Sequence, residues 1–424
     1  MNSSKKFVGL GVVVTINLAL QFLFQWYIII SLGPGLYTDA LFGALALPQF
    51  ILVVLSGSLT MVLIPMMAKH KNDEFLEESW TYFQTVGILF ICIALLLLAT
   101  AQWWVTWILP GFKETNFQLI INLARIQIIA MVFSALLSVA WAIHSAKGNF
   151  FTIEYTSIIA NIIAFILLLI FIKPLGVYAV AWISVLRLIL QVSFLMRIMG
   201  PYRRPNFNSS SYKESWKKFK PLMAGNAYYK TDTLVDRYLT SKGGAGELTL
   251  LNLAQQLYVT ANSILVKVLV NTMIPEMAKA NAAGDEKRYS RILKKRLIIS
   301  FTCTTISFIS TLLIGQWVLG FIFSFKKFTI DDVHKLWWFL VLLGGYLIGG
   351  LIGSVTSGSF YAKGDTSTPT KIGTILFTFY MPIKIFCYFK FGIVGLAISI
   401  STYYVVSFLL QLFFLRKHLS PIAM

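Results

Sequence analysis

A chain of 424 residues that is 57% hydrophobic and only 12% charged, with a mean hydropathy of +0.74, is too apolar for an ordinary soluble domain. Its net charge of +19 invites a nucleic-acid reading. The placement of the basic residues, set out below, excludes it.

In chain order, twelve apolar stretches appear, each near or above the ~20 residues that a helix needs to cross a bilayer. Six lie at 7–31, 38–67, 79–108, 117–143, 151–172 and 175–197, and six more at 221–241, 248–275, 296–323, 335–361, 370–389 and 392–415. The runs are continuously apolar, without the period-2 alternation of barrel strands, so α-helices are expected. The first stretch is about twice the length of a signal-peptide core, and no small-residue cleavage site precedes Gly33-Pro34-Gly35; it is expected to be retained. Cys92, Cys303 and Cys387 fall within spans, which implies no disulfide framework. Pro48 and Pro382 should kink the second and eleventh spans. Gly345, Gly349 and Gly353 form a small-residue ridge suited to close helix packing.

With the N-terminus assigned inside and loops alternating, inner segments hold 23 Lys and Arg residues and outer segments 7. The excess concentrates in 197–220 and 279–296. This is the positive-inside pattern, and it places both termini in the cytoplasm. Anionic membrane lipids are the expected partners of those loops, and nucleic acid is not.

The chain also repeats itself. Ile64-Pro65-Met66-Met67-Ala68-Lys69 recurs as Ile274-Pro275-Glu276-Met277-Ala278-Lys279, Ala146-Lys147-Gly148 as Ala362-Lys363-Gly364, and the glycine-led segment 176–181 as 392–397. The offset is 210 residues for the first pair and 216 for the others. So long a period means two homologous halves rather than a solenoid. The expected fold class is an all-α polytopic membrane protein: two parallel-repeat six-helix bundles around a central cavity, residues 1–200 and 221–424, joined by a basic cytoplasmic linker at 201–220. Paired halves of this kind are how transporters build a site.

The informative residues are those that hydrocarbon should exclude, since a charge at mid-bilayer costs ~2.5–3.5 kcal/mol on insertion scales. The first half offers Asp39, Arg125 and Arg187, with Asn17, Gln21, Gln25, Gln49, Asn161 and Gln191. The second offers Lys230, Asp232, Asp236, Arg237, Lys267 and Lys384, with Asn226, Gln255, Gln256, Asn262 and Asn271. Asp232 and Asp236 are spaced i, i+4 and share a helix face. That pair suits a proton or Na⁺ site, or else is neutralised by Lys230 and Arg237. Asp236 is the better candidate, because Arg237 is expected to point away from its face. Arg187 and Lys267 lie deep in their spans. Each could hold an anionic headgroup, Arg in bidentate fashion and Lys as a point charge, or serve structural pairing. Arg125 and Lys384 lie nearer span ends, where a structural role is expected.

Enzyme signatures are missing. There is no metal-spaced His/Cys/carboxylate cluster, no phosphate-binding Gly-Lys-Ser/Thr loop and no G-x-S-x-G elbow; His70, His144, His334 and His418 are scattered at or beyond span ends.

Several segments resemble the MurJ/MviN family of lipid-linked saccharide flippases. One is Thr38-Asp39-Ala40-Leu41-Phe42 followed by Leu47-Pro48-Gln49, Gly57 and Ile64-Pro65. The most specific is 359–372, from Ser359-Phe360-Tyr361-Ala362-Lys363-Gly364 through Asp365-Thr366-Ser367 to Ile372. Val235-Asp236-Arg237 through Leu251-Asn252-Leu253-Ala254 is a third. The resemblance implies membership of the multidrug/oligosaccharidyl-lipid/polysaccharide exporter superfamily, fourteen helices, and a cavity lined with arginines. Here twelve spans are legible and Asp39 is retained. The matching stretch 17–25 holds no basic residue, 50–55 is wholly apolar, and Gln256 stands where the family has Arg.

The expected function is therefore a secondary transporter and not an enzyme: a flippase moving a polyprenyl-(pyro)phosphate-linked saccharide, lipid II or a related cell-envelope precursor, across the bacterial inner membrane by alternating access. Arg187, Lys230, Lys267 and Arg237 would hold the headgroup. Asp39, Asp232 and Asp236 would serve ion coupling or gating, with Na⁺ or a proton as the coupling ion, no cofactor and no metal. Cell-envelope synthesis proteins are expected partners. The alternatives are export of an O-antigen or exopolysaccharide unit, or of a drug, and a membrane glycosyltransferase. A drug exporter should favour acidic and aromatic cavity residues, whereas basic ones predominate here.

Overall fold

The computed structural model describes residues 3–67, 72–112, 116–365 and 367–418. Ala68, Lys69 and His70, and Thr366 of the 359–372 motif, lie outside these described residues. Among them there are helices and no strand. The contacts divide the chain into two compact units, Met1–Ala245 and Gly246–Met424.

The first unit contains α1 (Ser3–Leu32), α2 (Leu36–Ala44), α3 (Ala46–Met67), α4 (Asn72–Ala99), α5 (Ala101–Ile108), α6 (Phe117–Ala146), α7 (Phe150–Leu175), α8 (Val177–Met199) and α9 (Ser210–Ser241). The second contains α10 (Glu247–Ala282), α11 (Glu286–Phe323), α12 (Ile330–Leu342), α13 (Gly344–Ala362) and α14 (Ser367–His418). Each of the twelve predicted spans falls on helix. Among the described residues, nine helices are long and apolar enough to cross a membrane, or ten if α12 and α13, bent by 42°, form one span. The last two predicted spans share α14, which Gly392 divides with a non-helical φ of 62° and ψ of −147°. α9 is absent from the nine because charged residues punctuate it.

The proline expectations separate. The second span is broken at Leu45, between α2 and α3. Pro48, in the first turn of α3, has no N–H to offer the Ala44 carbonyl, so the ladder cannot run through. At Pro382 the dihedrals remain helical, and the break in α14 falls at Gly392 instead.

Among the long helices of the first unit α6 is the most enclosed, with Ile120, Leu123, Ile128, Ala135, Val139 and Ile143 fully buried. Lipid tails are as apolar as these side chains, so close packing and hydrogen bonds rather than hydrophobic transfer hold such helices together. Residues 201–209 lie against α4. The Trp80 indole donates to the Pro201 carbonyl at 2.8 Å, Arg203 pairs with Asp73 at 2.8 Å, and Ser209 donates to Glu78 at 2.5 Å. Ser209 also caps α9 by accepting from the Tyr212 N–H at 3.1 Å. Residues 210–220, read from sequence as linker, thus form the first third of α9.

In the second unit the glycine ridge does what its spacing suggests. A Cβ on Gly345 would meet Ser401 at 2.8 Å, and one on Gly349 the Tyr404 backbone at 2.6 Å. The second arm of α14 therefore sits directly on α13. Tyr258 donates to the Leu340 carbonyl at 2.8 Å and Tyr289 to the Ser359 carbonyl at 2.6 Å.

The internal repeat is visible in the backbone. α6 and α13 end in the same way, with Gly148 at φ 72° and Gly364 at φ 79°. In each case the next N–H reaches back five residues, Asn149 to His144 at 2.9 Å and Asp365 to Phe360 at 3.0 Å. This 6→1 bond is the Schellman cap, for which glycine supplies the positive φ. Even the preceding lysines match: Lys147 lies over the Phe75 ring at 4.5 Å, and Lys363 over the Tyr289 ring at 5.0 Å.

Candidate functional site

The first cluster starts from a local turn. The Thr38 hydroxyl donates to the Gly33 carbonyl at 2.9 Å and accepts from the Gly35 N–H at 3.0 Å. This closes the Gly33-Pro34-Gly35 turn and fixes Asp39 in the first turn of α2, where it is buried. Arg237 of α9 is buried too, and the charges of Asp236 and Asp39 both bear on its guanidinium. Sequence spacing suggests that Arg237 points away from the face of Asp236; the charge of Asp236 still bears on it. The cluster is a buried cation with two carboxylates near enough for their charges to bear on it, as is expected where charge leaves water. Asp232 is half-buried one turn earlier on α9, and Lys230 is exposed.

A second cluster joins α1, α7 and α8. Asn17 is its hub. Its carbonyl oxygen accepts from Asn161 at 2.7 Å, Ser157 at 3.1 Å and Gln21 at 3.3 Å, while its amide donates to Glu154 at 2.6 Å. Gln191 donates to Ser157 at 3.1 Å. Arg187 donates through one terminal nitrogen to Asn161 at 3.3 Å, and its guanidinium lies over the Phe24 ring at 5.3 Å. The Arg187 Nε is buried without a partner. Sequence reasoning singled out Asn17, Gln21, Asn161, Arg187 and Gln191 separately; the fold brings them together. It missed Glu154, whose signal was being the one carboxylate in the 151–172 span.

In the second unit Lys267 is exposed on α10. Asn271 follows one turn later and shares its face. A cavity of about 480 Å³ opens between α10, α13 and the second arm of α14, lined by Asn271, Ser354, Ser357, Tyr403, Ser407 and Gln411 among others. Lys384, expected near a span end with a structural role, is fully buried, with its ammonium 5.2 Å from the centre of the Tyr380 ring. Tyr380 and Tyr403 approach to 4.4 Å between ring centroids, and Tyr346 and Tyr404 to 4.5 Å. These tyrosines carried no sequence signal beyond aromatic content. Among the described residues no group of three or more His, Cys, Asp or Glu could hold a metal ion.

A sequence model of the family described as Lipid II flippase MurJ matches residues 28–423. A Burkholderia cenocepacia protein named Lipid II flippase MurJ is 24% identical over 415 residues, covering 91% of this chain and 78% of that protein. A Buchnera aphidicola (subsp. Acyrthosiphon pisum) protein named probable lipid II flippase MurJ is 25% identical over 427 residues, covering 97% and 83%. Among solved structures, a lipid II flippase MurJ in an inward closed conformation aligns with a TM-score of 0.81 at 18% identity, covering 96% of this chain and 87% of that one. An inward-facing multidrug resistance MATE family transporter of the MOP superfamily aligns with a TM-score of 0.78 at 15% identity, covering 96% and 98%. At such identities the structural likeness speaks to the fold.

Proposed function

The chain belongs to the lipid II flippase MurJ family, and from that premise we propose that it moves lipid II, or a closely related polyprenyl-pyrophosphate-linked saccharide, across the bacterial inner membrane by alternating access. As in that family, its work is transport and not catalysis. The observation that carries the reading is charge kept inside membrane spans at an energetic cost. Arg187, Asp39 and Lys384 sit within helices apolar enough to cross a membrane, and Asp236 and Arg237 on α9 pack with Asp39; such residues mark substrate or ion pathways.

The cavity arginines that the family resemblance implies are not met in 17–25, in 50–55 or at Gln256. Arg187, Lys230 and Lys267 are the cations we assign to the pyrophosphate. Arg187 suits it best, since its amide and aromatic contacts orient the guanidinium in advance and leave donors over. Asp39 and Asp236 are assigned to coupling. Because an ion can shift a two-state equilibrium only through differential affinity, exchange of Arg237 between the carboxylates and solvent would be the step that an ion or the membrane potential biases.

Both termini are assigned to the cytoplasm on the basic loops. Anionic lipids are the partners on that side. An apolar groove of about 640 Å³ between α11 and α14 carries Lys294 and Arg416 beside Leu293, Leu297 and Leu412, which suits an acyl chain under an anionic headgroup. The test of the proposed function is complementation. In a bacterium depleted of its own lipid II flippase, expression of this chain at confirmed membrane levels should restore growth; lysis despite good expression would exclude lipid II as cargo.

A further inference from the structure

The cavity in the second unit has a chemistry of its own. No charged side chain lines its 480 Å³, a volume within the ~300–1,000 Å³ range of small-molecule pockets. Its walls are hydroxyls and amides: Ser354 and Ser357 from α13, Ser407 and Gln411 from α14, and Asn271 from α10. Tyr403 and Tyr404 add aromatic surface. Gly350 and Gly353 line the same wall and contribute no side chain to fill it.

Two of these groups have hydrogen-bonding capacity left over. Gln411 is 6% exposed. Its carbonyl oxygen accepts from Thr356 at 2.7 Å and Ser357 at 2.8 Å, but its amide nitrogen has only a 3.5 Å contact with Ser407. Asn271 has no hydrogen-bond partner among the described residues. At membrane depth a polar group without a partner costs several kcal/mol. Such a cavity is stable only when water or a hydroxyl-rich ligand fills it. Phosphate and carboxylate are poor occupants because no cation faces them there. Drug-like cations are equally poor, because no carboxylate does. An uncharged sugar fits, with hydroxyls to the amides and serines and an apolar ring face to the tyrosines.

We propose that this cavity is a saccharide subsite, which reads the uncharged sugar of a lipid-linked cargo by its hydroxyl groups. The inference rests on the flippase reading and deepens it. Lys267 stands one turn of α10 from Asn271, ~6 Å along the axis, where a phosphate attached to that sugar could reach it. The division of labour is that the lysine holds charge and the cavity holds specificity.

The experiment compares two ligands on the purified full chain in lipid nanodiscs: polyprenyl pyrophosphate without sugar, and polyprenyl-pyrophosphate-linked disaccharide. The unaltered protein should bind the sugar-bearing lipid about 10-fold or more tightly, since a site built for hydroxyls rejects the analogue lacking them. Ser354→Leu, which fills the cavity, and Asn271→Leu, on an exposed helix face that tolerates substitution, should each reduce that preference to within about 2-fold. Equal binding of the two lipids by the unaltered protein, or a preference that survives Asn271→Leu, would overturn the subsite and leave the flippase reading standing. Binding of neither lipid would overturn both.

Discussion

Gly176 and Gly392, 216 residues apart, hold the same backbone conformation: φ 55° and ψ −129° at the first, φ 62° and ψ −147° at the second. Each separates two helices, α7 from α8 and the first arm of α14 from the second. A duplicated sequence has kept not only its helices but the strained joint between them. Neither position is crowded, for a Cβ would meet nothing within 4 Å at either glycine. The requirement for glycine therefore lies in the backbone alone.

Gly176→Ala and Gly392→Ala should accordingly each destabilise by ~1–3 kcal/mol, the cost of forcing a Cβ into that region. The two losses should be of similar size. Thermal unfolding of the purified protein in detergent checks this, and an unchanged transition at either site would contradict the backbone reading.

The contrast between joints and spans shows what the sequence made legible. Helices were readable because a membrane span needs ~20 apolar residues in a row, and that signal is local. The break at Leu45 was not, because Pro48 marks it three residues late and Pro382 carries the same signal without a break. Residues 210–220 looked like linker because their lysines dominate, yet Ser209 caps a helix there. Among site residues, Arg187 and Asp236 stood out as charges in apolar runs. Asn17 could not be recognised as a hub, since its partners Glu154, Ser157 and Asn161 lie 137 to 144 residues away and only the fold brings them to it.

Arg237 gives the sharpest stability test in the first unit. Arg237→Ala takes the cation from buried Asp39 and half-buried Asp236 and should cost ~3 kcal/mol, the lower end of the range for breaking a buried pair. Adding Asp236→Asn should recover part of that loss, because one orphaned charge disappears. If the double variant is no more stable than the single in a thermal unfolding assay, the ion cluster is not the source of the loss.

Asn17→Leu removes four hydrogen bonds at once. Inter-helix bonds in membranes average ~0.6 kcal/mol each, so about 2 kcal/mol of stability should go. Glu154→Gln keeps an acceptor of the same shape, and the transition should move by less than about 0.5 kcal/mol. Growth complementation by Glu154→Gln then separates a structural carboxylate from a functional one: survival marks the residue as scaffold.

Arg187→Gln retains donors but loses the positive charge, and should reduce transport about 10-fold or more if the guanidinium holds a pyrophosphate. Arg187→Lys should fall between the two, as a point charge without the fork. Full transport by Arg187→Gln in membranes containing normal amounts of protein would remove Arg187 from the headgroup site. The same comparison at Lys230 and Lys267 assigns the remaining cations.

A flippase must move its lipid-linked saccharide from one leaflet to the other. The most direct measurement reconstitutes the full chain into liposomes with fluorescently labelled lipid II in both leaflets and adds a membrane-impermeant quencher outside. With an active flippase nearly all fluorescence should be lost as inner-leaflet lipid exchanges outward, and Arg187→Gln should slow that loss. A plateau near half, equal to that of protein-free liposomes, would contradict lipid II translocation by this protein.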